Sequence, residues 1–238
     1  MSVRPAWGTL VNWVTEGQTL LENAAAGLSP EQVGGPSRLP GWSRGHVLTH
    51  LSRNADALAN LLTWARTGVE SPMYASPAER EEGIAAGAGR ALPGQLADLA
   101  ASGSRFLAAA EAVPRERRSF PVVSGQGRQI PAHEVPWLRA RELRLHLVDL
   151  DAGYGIEAMP DPIAWTLTRD VAAWMAPRIP APADLRVDGY GTVRLGPGDT
   201  AATIIEGSAQ RMAAWLTGRG GPAGLTGTGG FPHLPRWL

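Results

Sequence analysis

Two pairs of side chains in this sequence are spaced so that they could bind a metal ion. His46 and His50 are four residues apart in one segment of helical periodicity, and Glu142 and His146 are four residues apart in another. Because an α-helix turns once in about 3.6 residues, the members of each pair project from one helix face. Two such pairs on packed helices could supply a His-Glu-His set with one coordination position open, which is typical of catalytic zinc.

Each pair also has an ordinary structural interpretation. Glu142 could pair with Arg139 or Arg141, and His146 could be a core histidine whose hydrogen bonds are satisfied. The segment around Glu142 is apolar on more than one side, however, so a carboxylate within it needs a cation. A metal ion is one such cation, and the spacing alone leaves both interpretations open.

The composition limits the chemistry that this chain can perform. All 22 of its basic residues are arginine, and it contains neither lysine nor cysteine. The missing lysine excludes a Schiff base, and the missing cysteine excludes a protein thiolate, an iron–sulfur centre and a disulfide. Any sulfur chemistry must therefore use the sulfur of a ligand.

Charge and hydropathy indicate a soluble cytoplasmic protein. The 22 basic and 22 acidic residues balance, which argues against a nucleic acid or an anionic membrane as the main partner. No apolar stretch is long enough to span a bilayer, and no signal peptide is recognisable after Arg4. At 238 residues with 44% hydrophobic residues, the chain is long enough to form one large domain or two small ones.

Periodicity and capping signals predict the elements that position the two pairs. Ser43 is expected to cap the helix that carries His50, and Gly68 to end it. The region 68–92 is mixed, and 120–130 predicts a small hairpin or an irregular loop. Four long helices are predicted, over 6–26, from Ser43 to about Arg66, over 93–112, and from near Pro131 to about Leu150.

After residue 151 the pattern changes to short strands mixed with helices. The sequence predicts an α+β protein with a helical bundle over 1–152 and a small α+β domain over 153–238. The glycine-rich stretch 219–230 predicts a mobile loop. The predicted elements of the second domain are a helix over 161–177, strands at Asp184–Tyr190, Thr192–Leu195 and Ala201–Glu206, and a helix at Ser208–Thr217.

Three motifs resemble those of a known enzyme family. They are LPGWSRGHVLTHLSRNAD at 39–56, PWLRARELRLHLVDL at 136–150 and AWLTGR at 214–219. In this order they resemble the mycothiol-dependent maleylpyruvate isomerases of the DinB-like metalloenzyme superfamily. The resemblance implies a DinB-like four-helix bundle followed by a smaller C-terminal α/β domain that completes the active site.

The resemblance also implies a ligand set and a thiol cofactor. The zinc ligands, or those of another divalent metal, would be His50, Glu142 and His146, and Arg219 would serve activity. Mycothiol would bind the metal as a thiolate, add to the cis double bond of maleylpyruvate, allow rotation and leave fumarylpyruvate by elimination. The substrate carboxylates need planar donors, for which Arg219 is the first candidate and Arg139 the second.

Two other functions remain open at this point. A mycothiol S-transferase would share the metal and the thiol but conjugate a different electrophile. A non-catalytic binding or sensor module would hold a structural metal or none and would not use the thiol. For either enzyme function, the expected partners are a small electrophile, such as a dicarboxylate, and a low-molecular-weight thiol. The chain is expected to be a monomer or a weak oligomer. His46 is expected to be structural or to lie beside the ligands, and Asp149 to orient a ligand imidazole or to pair with an arginine.

Overall fold

The structure, a computed structural model, describes residues 5–180, 182–198 and 203–237. The chain divides into two units, Met1–Tyr154 and Gly155–Leu238. The first unit is mainly helical, and the second combines helices with a small sheet, so the predicted α+β class is confirmed. None of the helices in the described part of the chain is both long and apolar enough to cross a bilayer.

The first unit is built around a four-helix bundle. Its helices are α1 (Trp7–Ala26), α2 (Pro30–Gly34), α3 (Arg44–Thr67), α4 (Pro77–Ala88), α5 (Leu92–Glu111) and α6 (Val135–Asp149). The long helices α1, α3, α5 and α6 form the bundle, in which α3 packs on α5 and α6, and α1 packs on the same two helices. The predicted bundle of four long helices is therefore confirmed.

The boundaries of α3 follow from its flanking residues. Ser43 has an extended backbone, and its side chain accepts a hydrogen bond from the His46 N–H, as a helix N-cap does. Gly68 ends the helix in the left-handed conformation, with φ of 78°, which glycine adopts without the steric penalty of a side chain. These two residues place His50 in the second turn of α3.

Helix α4 lies in the region 68–92 that the sequence pattern left unassigned. Ser76 caps it and Pro77 occupies its first turn, but Ile84 is its one large buried apolar residue, so the helical period is weak. The helix packs on α3 through glycine. A Cβ atom on Gly45 would lie 2.1 Å from the carbonyl oxygen of Ala88, so the two backbones approach too closely for any side chain there.

The residues between α5 and α6 form the predicted hairpin. Its strands β1 (Pro121–Val123) and β2 (Gln129–Pro131) pair antiparallel. A short 3₁₀ turn, Ala132–Glu134, then leads into α6, which begins at Val135 rather than near Pro131.

In its described residues, the second unit contains a four-stranded sheet and two α-helices. Its elements are α7 (Asp161–Met175), β3 (Ala183–Val187), β4 (Gly191–Leu195), β5 (Thr203–Gly207), α8 (Ala209–Thr217) and β6 (Thr226–Gly227). The strand order is β4-β3-β5-β6, in which β3 and β5 are parallel and the other neighbours are antiparallel.

The second unit has a short strand where the sequence predicts a loop. The expectation of a mobile loop over 219–230 is wrong at β6, because Glu206 of β5 pairs in register with Thr226. A strand of two residues is too short to show a periodic pattern in the sequence. The high glycine content of the stretch therefore predicts a loop there. The first two residues of the strand predicted at Ala201–Glu206 lie outside the described residues, and the remainder agrees with β5.

Candidate metal centre

The structure brings together three side chains from two helices of the bundle. His50 projects from the second turn of α3, and Glu142 and His146 project from one face of α6. One ligand atom from each residue lies within 4.8 Å of the others. The i, i+4 spacing on α6 and the packing of α3 on α6 are sufficient to form this cluster, here called the His-Glu-His cluster.

The distances within the His-Glu-His cluster suit a single metal ion. Nε2 of His50 lies 3.1 Å from Oε2 of Glu142 and 3.1 Å from Nε2 of His146. Nε2 of His146 lies 3.3 Å from the same Glu142 oxygen. Tetrahedral zinc with bonds of about 2.0–2.1 Å separates its ligand atoms by about 3.3 Å. Two imidazole nitrogens and one carboxylate oxygen therefore fit a divalent metal in type and in spacing.

Asp149 fixes the orientation of the His146 ring. Its Oδ2 lies 2.9 Å from Nδ1 of His146, and its side chain is only 2% exposed. A carboxylate accepts hydrogen bonds, so Nδ1 of His146 carries a proton, and Nε2 is the ring nitrogen that faces Glu142 and His50. This arrangement favours metal binding through Nε2.

The charges in the cluster favour an anionic Glu142. Burial by itself would raise the pKa of Glu142, but hydrogen bonds and charge interactions with His146 and His50 hold it well below 4.5. Burial also opposes protonation of His146, but its hydrogen bonds to Asp149 and Glu142 outweigh burial and raise the pKa of His146. Glu142 and Asp149 therefore make the centre of the cluster attractive to a cation.

His50 differs from His146 in the direction of its pKa shift. Burial is the main cause that lowers the pKa of His50 to about 4, and the hydrogen bond to Glu142 offsets only part of this effect. At neutral pH the His50 ring is therefore uncharged. A neutral imidazole can offer a lone pair to a metal without first losing a proton.

Arg44 holds the ends of the two ligand-bearing helices together. It occupies the first turn of α3, and its Nε donates to the carbonyl oxygen of Leu150 at 2.9 Å. Its Nη2 donates to the carbonyl oxygen of Asp151 at 3.1 Å. The last carbonyl groups of α6 have no hydrogen-bond donors within their own helix. The Arg44 side chain supplies these donors.

His46 lies outside the cluster and has a structural role. Its Nδ1 accepts a hydrogen bond from the Ser43 N–H at 3.2 Å, while the Ser43 hydroxyl accepts one from the His46 N–H at 3.3 Å. This reciprocal arrangement is a capping box in which histidine takes the usual place of glutamate or glutamine. Trp42 stacks on the His46 ring and also contacts the His50 ring, with centroids 6.1 and 5.5 Å apart.

Arg139, predicted as a second donor to substrate carboxylates, is fully buried between helices. Its Nη1 donates to the Leu51 carbonyl oxygen at 2.8 Å and to Oδ1 of Asn54 at 3.0 Å. Its Nη2 donates to Oε1 of Gln18 at 3.1 Å. This geometry favours a role in joining α1, α3 and α6. The catalytic role of Arg139 stays a prediction that its burial does not support.

Arg219, the first predicted donor to substrate, lies in the second unit on the turn after α8. Its backbone N–H donates to the Ala214 carbonyl oxygen at 2.9 Å, and its Nη1 donates to the Thr217 carbonyl oxygen at 3.0 Å. Gly218, in the left-handed conformation, turns the chain at this point. The role of Arg219 in activity stays a prediction.

Sequence reasoning missed two residues near the cluster. Nη2 of Arg80, on α4, lies 3.4 Å from Nδ1 of His50, and the Tyr74 side chain hydrogen-bonds with Arg80. Both residues lie in the unassigned region 68–92. An arginine in a weakly periodic segment is usually a solvated surface charge, so no sequence signal separates Arg80 from the other arginines.

Comparisons with known proteins agree with the motifs. Residues 14–151 match the model of a family described as the mycothiol maleylpyruvate isomerase N-terminal domain. The fold is similar to the crystal structure of the mycothiol-dependent maleylpyruvate isomerase, with 30% identity, 98% of each chain covered and a TM-score of 0.87. The same values hold for a variant of that enzyme in which a histidine is replaced by alanine. No curated protein matches the sequence.

Proposed function

The chain belongs to the mycothiol maleylpyruvate isomerase family, and we propose that it is a zinc- and mycothiol-dependent cis–trans isomerase that converts maleylpyruvate to fumarylpyruvate. The observation that carries the proposal is the triangle of ligand atoms from His50, Glu142 and His146, with edges of 3.1 to 3.3 Å. A structural zinc site has four protein ligands, whereas the residues that the structure describes supply three to this cluster. The difference favours catalysis.

The residues of the cluster have distinct roles in this proposal. His50, Glu142 and His146 would hold the metal, and Asp149 would keep the His146 ring in the ligating tautomer. When bound, the metal lowers the pKa of a coordinated thiol, so that the thiolate forms at neutral pH. The chain has no cysteine, and mycothiol supplies the sulfur.

Arg219 is the proposed partner of a substrate carboxylate. Maleylpyruvate carries two carboxylates, and a guanidinium offers the planar pair of donors that a carboxylate accepts. The AWLTGR motif that ends in Arg219 supports this role through its resemblance to the family. Arg219→Gln should raise KM for maleylpyruvate, and Arg219→Lys should restore binding only in part, because an ammonium group lacks the two-pronged geometry.

Elemental analysis of the purified protein is the experiment that tests the metal centre. We expect about one zinc ion per chain in the parent and a loss of zinc in His50→Ala, Glu142→Ala and His146→Ala. His46→Ala is the matched control, because it removes an imidazole four residues from His50 without removing a ligand. A folded parent that contains no metal and takes up none from added zinc would contradict the proposal and favour a non-catalytic module.

A second experiment separates isomerisation from thiol transfer. Maleylpyruvate is added to the zinc-loaded protein with and without mycothiol, and the products are identified by mass spectrometry and NMR. Fumarylpyruvate formed with catalytic amounts of mycothiol indicates the isomerase. A stable thiol conjugate formed in proportion to the mycothiol consumed would instead indicate an S-transferase. His133→Ala, whose ring faces the Pro5 carbonyl oxygen, serves as the activity control.

A further inference from the structure

Helix α4 brings one guanidinium beside the His-Glu-His cluster. Arg80 lies in the first half of α4, its side chain is 31% exposed, and its Nη2 approaches Nδ1 of His50 to 3.4 Å. The backbone contact between Gly45 and Ala88 holds α4 against α3, the helix that carries His50. Arg80 therefore approaches the ring nitrogen of His50 that does not face Glu142 and His146.

Tyr74 holds the Arg80 side chain from the segment that precedes α4. The phenol is mostly buried and hydrogen-bonds with Arg80. Burial is the main cause that raises the pKa of Tyr74, so the phenol is neutral at neutral pH. The guanidinium has only donors, so the phenol oxygen accepts the hydrogen bond from Arg80, and a neutral phenol leaves the positive charge of Arg80 uncompensated.

The remaining partner of Arg80 neutralises it only weakly. Nη1 forms an ion pair with Glu81, whose side chain is 64% exposed. Exposed ion pairs of this kind are weak, because water competes for both groups. A carboxylate that reaches Arg80 from the cluster side therefore meets little competition from Glu81.

The contact of Arg80 with His50 and metal binding by His50 are chemical alternatives. Nδ1 of His50 can accept a hydrogen bond from Arg80 only if it has a free lone pair. A metal on Nε2 takes the lone pair of that nitrogen, and in the neutral ring the proton then belongs to Nδ1. Two donors would then face each other, so Nη2 of Arg80 would need another acceptor.

We propose that Arg80, oriented by Tyr74, binds a carboxylate of the substrate beside the metal ligands. The inference rests on the proposed function, which supplies a dicarboxylate as the substrate. One oxygen of this carboxylate then replaces His50 Nδ1 as the acceptor. The guanidinium can offer the two oxygens of the carboxylate two parallel donors. Arg80 is a substrate-binding residue in this scheme, and Tyr74 is a positioning residue.

Binding of maleate to the zinc-loaded protein, measured by calorimetry without any thiol, tests this proposal. Maleate has the two carboxylates of a cis alkene, and without thiol it cannot isomerise. We expect Arg80→Gln to weaken maleate binding about 10- to 100-fold, since a charge-assisted hydrogen bond is lost. Arg80→Lys should recover part of the affinity. Arg90→Gln, which removes an exposed arginine just after α4, is the control.

Tyr74→Phe should weaken maleate binding less than Arg80→Gln, and it should add nothing when combined with Arg80→Gln. Such non-additivity indicates that Tyr74 acts through Arg80. The zinc content of every variant should equal that of the parent. Unchanged maleate affinity in Arg80→Gln, or loss of zinc from this variant, would overturn the proposal.

The two proposals can fail separately. If maleate binding depends on Arg80 but no isomer forms from maleylpyruvate, the anion site stands and the proposed reaction fails. If fumarylpyruvate forms normally in Arg80→Gln and KM is unchanged, the reaction stands and the role of Arg80 is overturned.

Discussion

Asp149 lies three residues after His146 on α6, and its Oδ2 is 2.9 Å from Nδ1 of that histidine. The aspartate is buried, and its carboxylate does not reach the set of ligand atoms formed with His50 and Glu142. It acts on the proposed metal centre through the His146 ring, whose tautomer and orientation it sets. Removing this hydrogen bond leaves all three ligands in place.

Asp149→Asn is therefore expected to lower zinc affinity about 10- to 100-fold without abolishing binding. An amide can present either an oxygen or an NH₂ group to Nδ1, so it no longer enforces the ligating tautomer. Competition with a chromophoric chelator measures the change. Asp188→Asn, in the exposed turn after β3, is the control, and equal affinities for the two variants would contradict the role of Asp149.

Arg139→Met is expected to destabilise the fold rather than to weaken substrate binding. The substitution leaves the acceptors of Leu51, Asn54 and Gln18 without their donor in a buried position. A loss of about 2–4 kcal/mol in the free energy of unfolding follows, measured by urea denaturation. If Arg139 instead held a substrate carboxylate, stability would change little and KM would rise.

Replacing the capping residues of α3 should change stability and leave the metal in place. Ser43→Ala removes an N-cap acceptor, and a loss of about 1 kcal/mol is expected in urea denaturation. His46→Gln should cost less, because glutamine is common at the third position of a capping box. Loss of zinc from His46→Gln would show that His46 does more than cap the helix.

Gly45→Ala is expected to force α4 away from α3. The new Cβ atom would lie 2.1 Å from the Ala88 carbonyl oxygen, a distance that backbone atoms cannot tolerate. We expect a lower free energy of unfolding and weaker maleate binding, because α4 carries Arg80. Gly8→Ala is the matched control, since a Cβ there meets no atom within 4 Å. That variant should be as stable as the parent or more so.

Removal of zinc by a chelator should leave the bundle folded. The core of the first unit is formed by apolar side chains of α1, α3, α5 and α6, and only three side chains belong to the proposed metal centre. Far-UV circular dichroism should keep its helical signal, while Tm should fall because a ligand of the native state has been lost. Complete unfolding on chelation would mean that the metal is structural.

The sequence was most informative where local signals and chemistry coincide. Ser43 and Gly68 define α3, and the spacing of Glu142 and His146 places two donors on one face of α6. Together with the position of His50, these features predict the three ligands of the candidate metal centre. Short-range geometry of this type depends on residues that are near one another in the chain, so a pattern can reveal it.

Contacts between residues that are far apart in the chain could not be predicted from the sequence in the same way. The contact of Arg80 with His50 depends on how α4 lies on α3, and α4 itself has only one large buried apolar residue to mark its period. The burial of Arg139 depends on Gln18, which is 121 residues away in the chain. A sequence pattern gives the helix face of Arg139 but not the acceptors that meet it.

The backbone contact between Gly45 and Ala88 also has a consequence for protein engineering. Most helix interfaces are spaced by side chains, so a designer can widen or narrow them by exchanging residues of different size. Here the spacing of α3 and α4 is set by main-chain atoms, and no exchange of side chains at Gly45 can reduce it. A designer who wants α4 in another position beside α3 would instead change the length of the connection over residues 68–76.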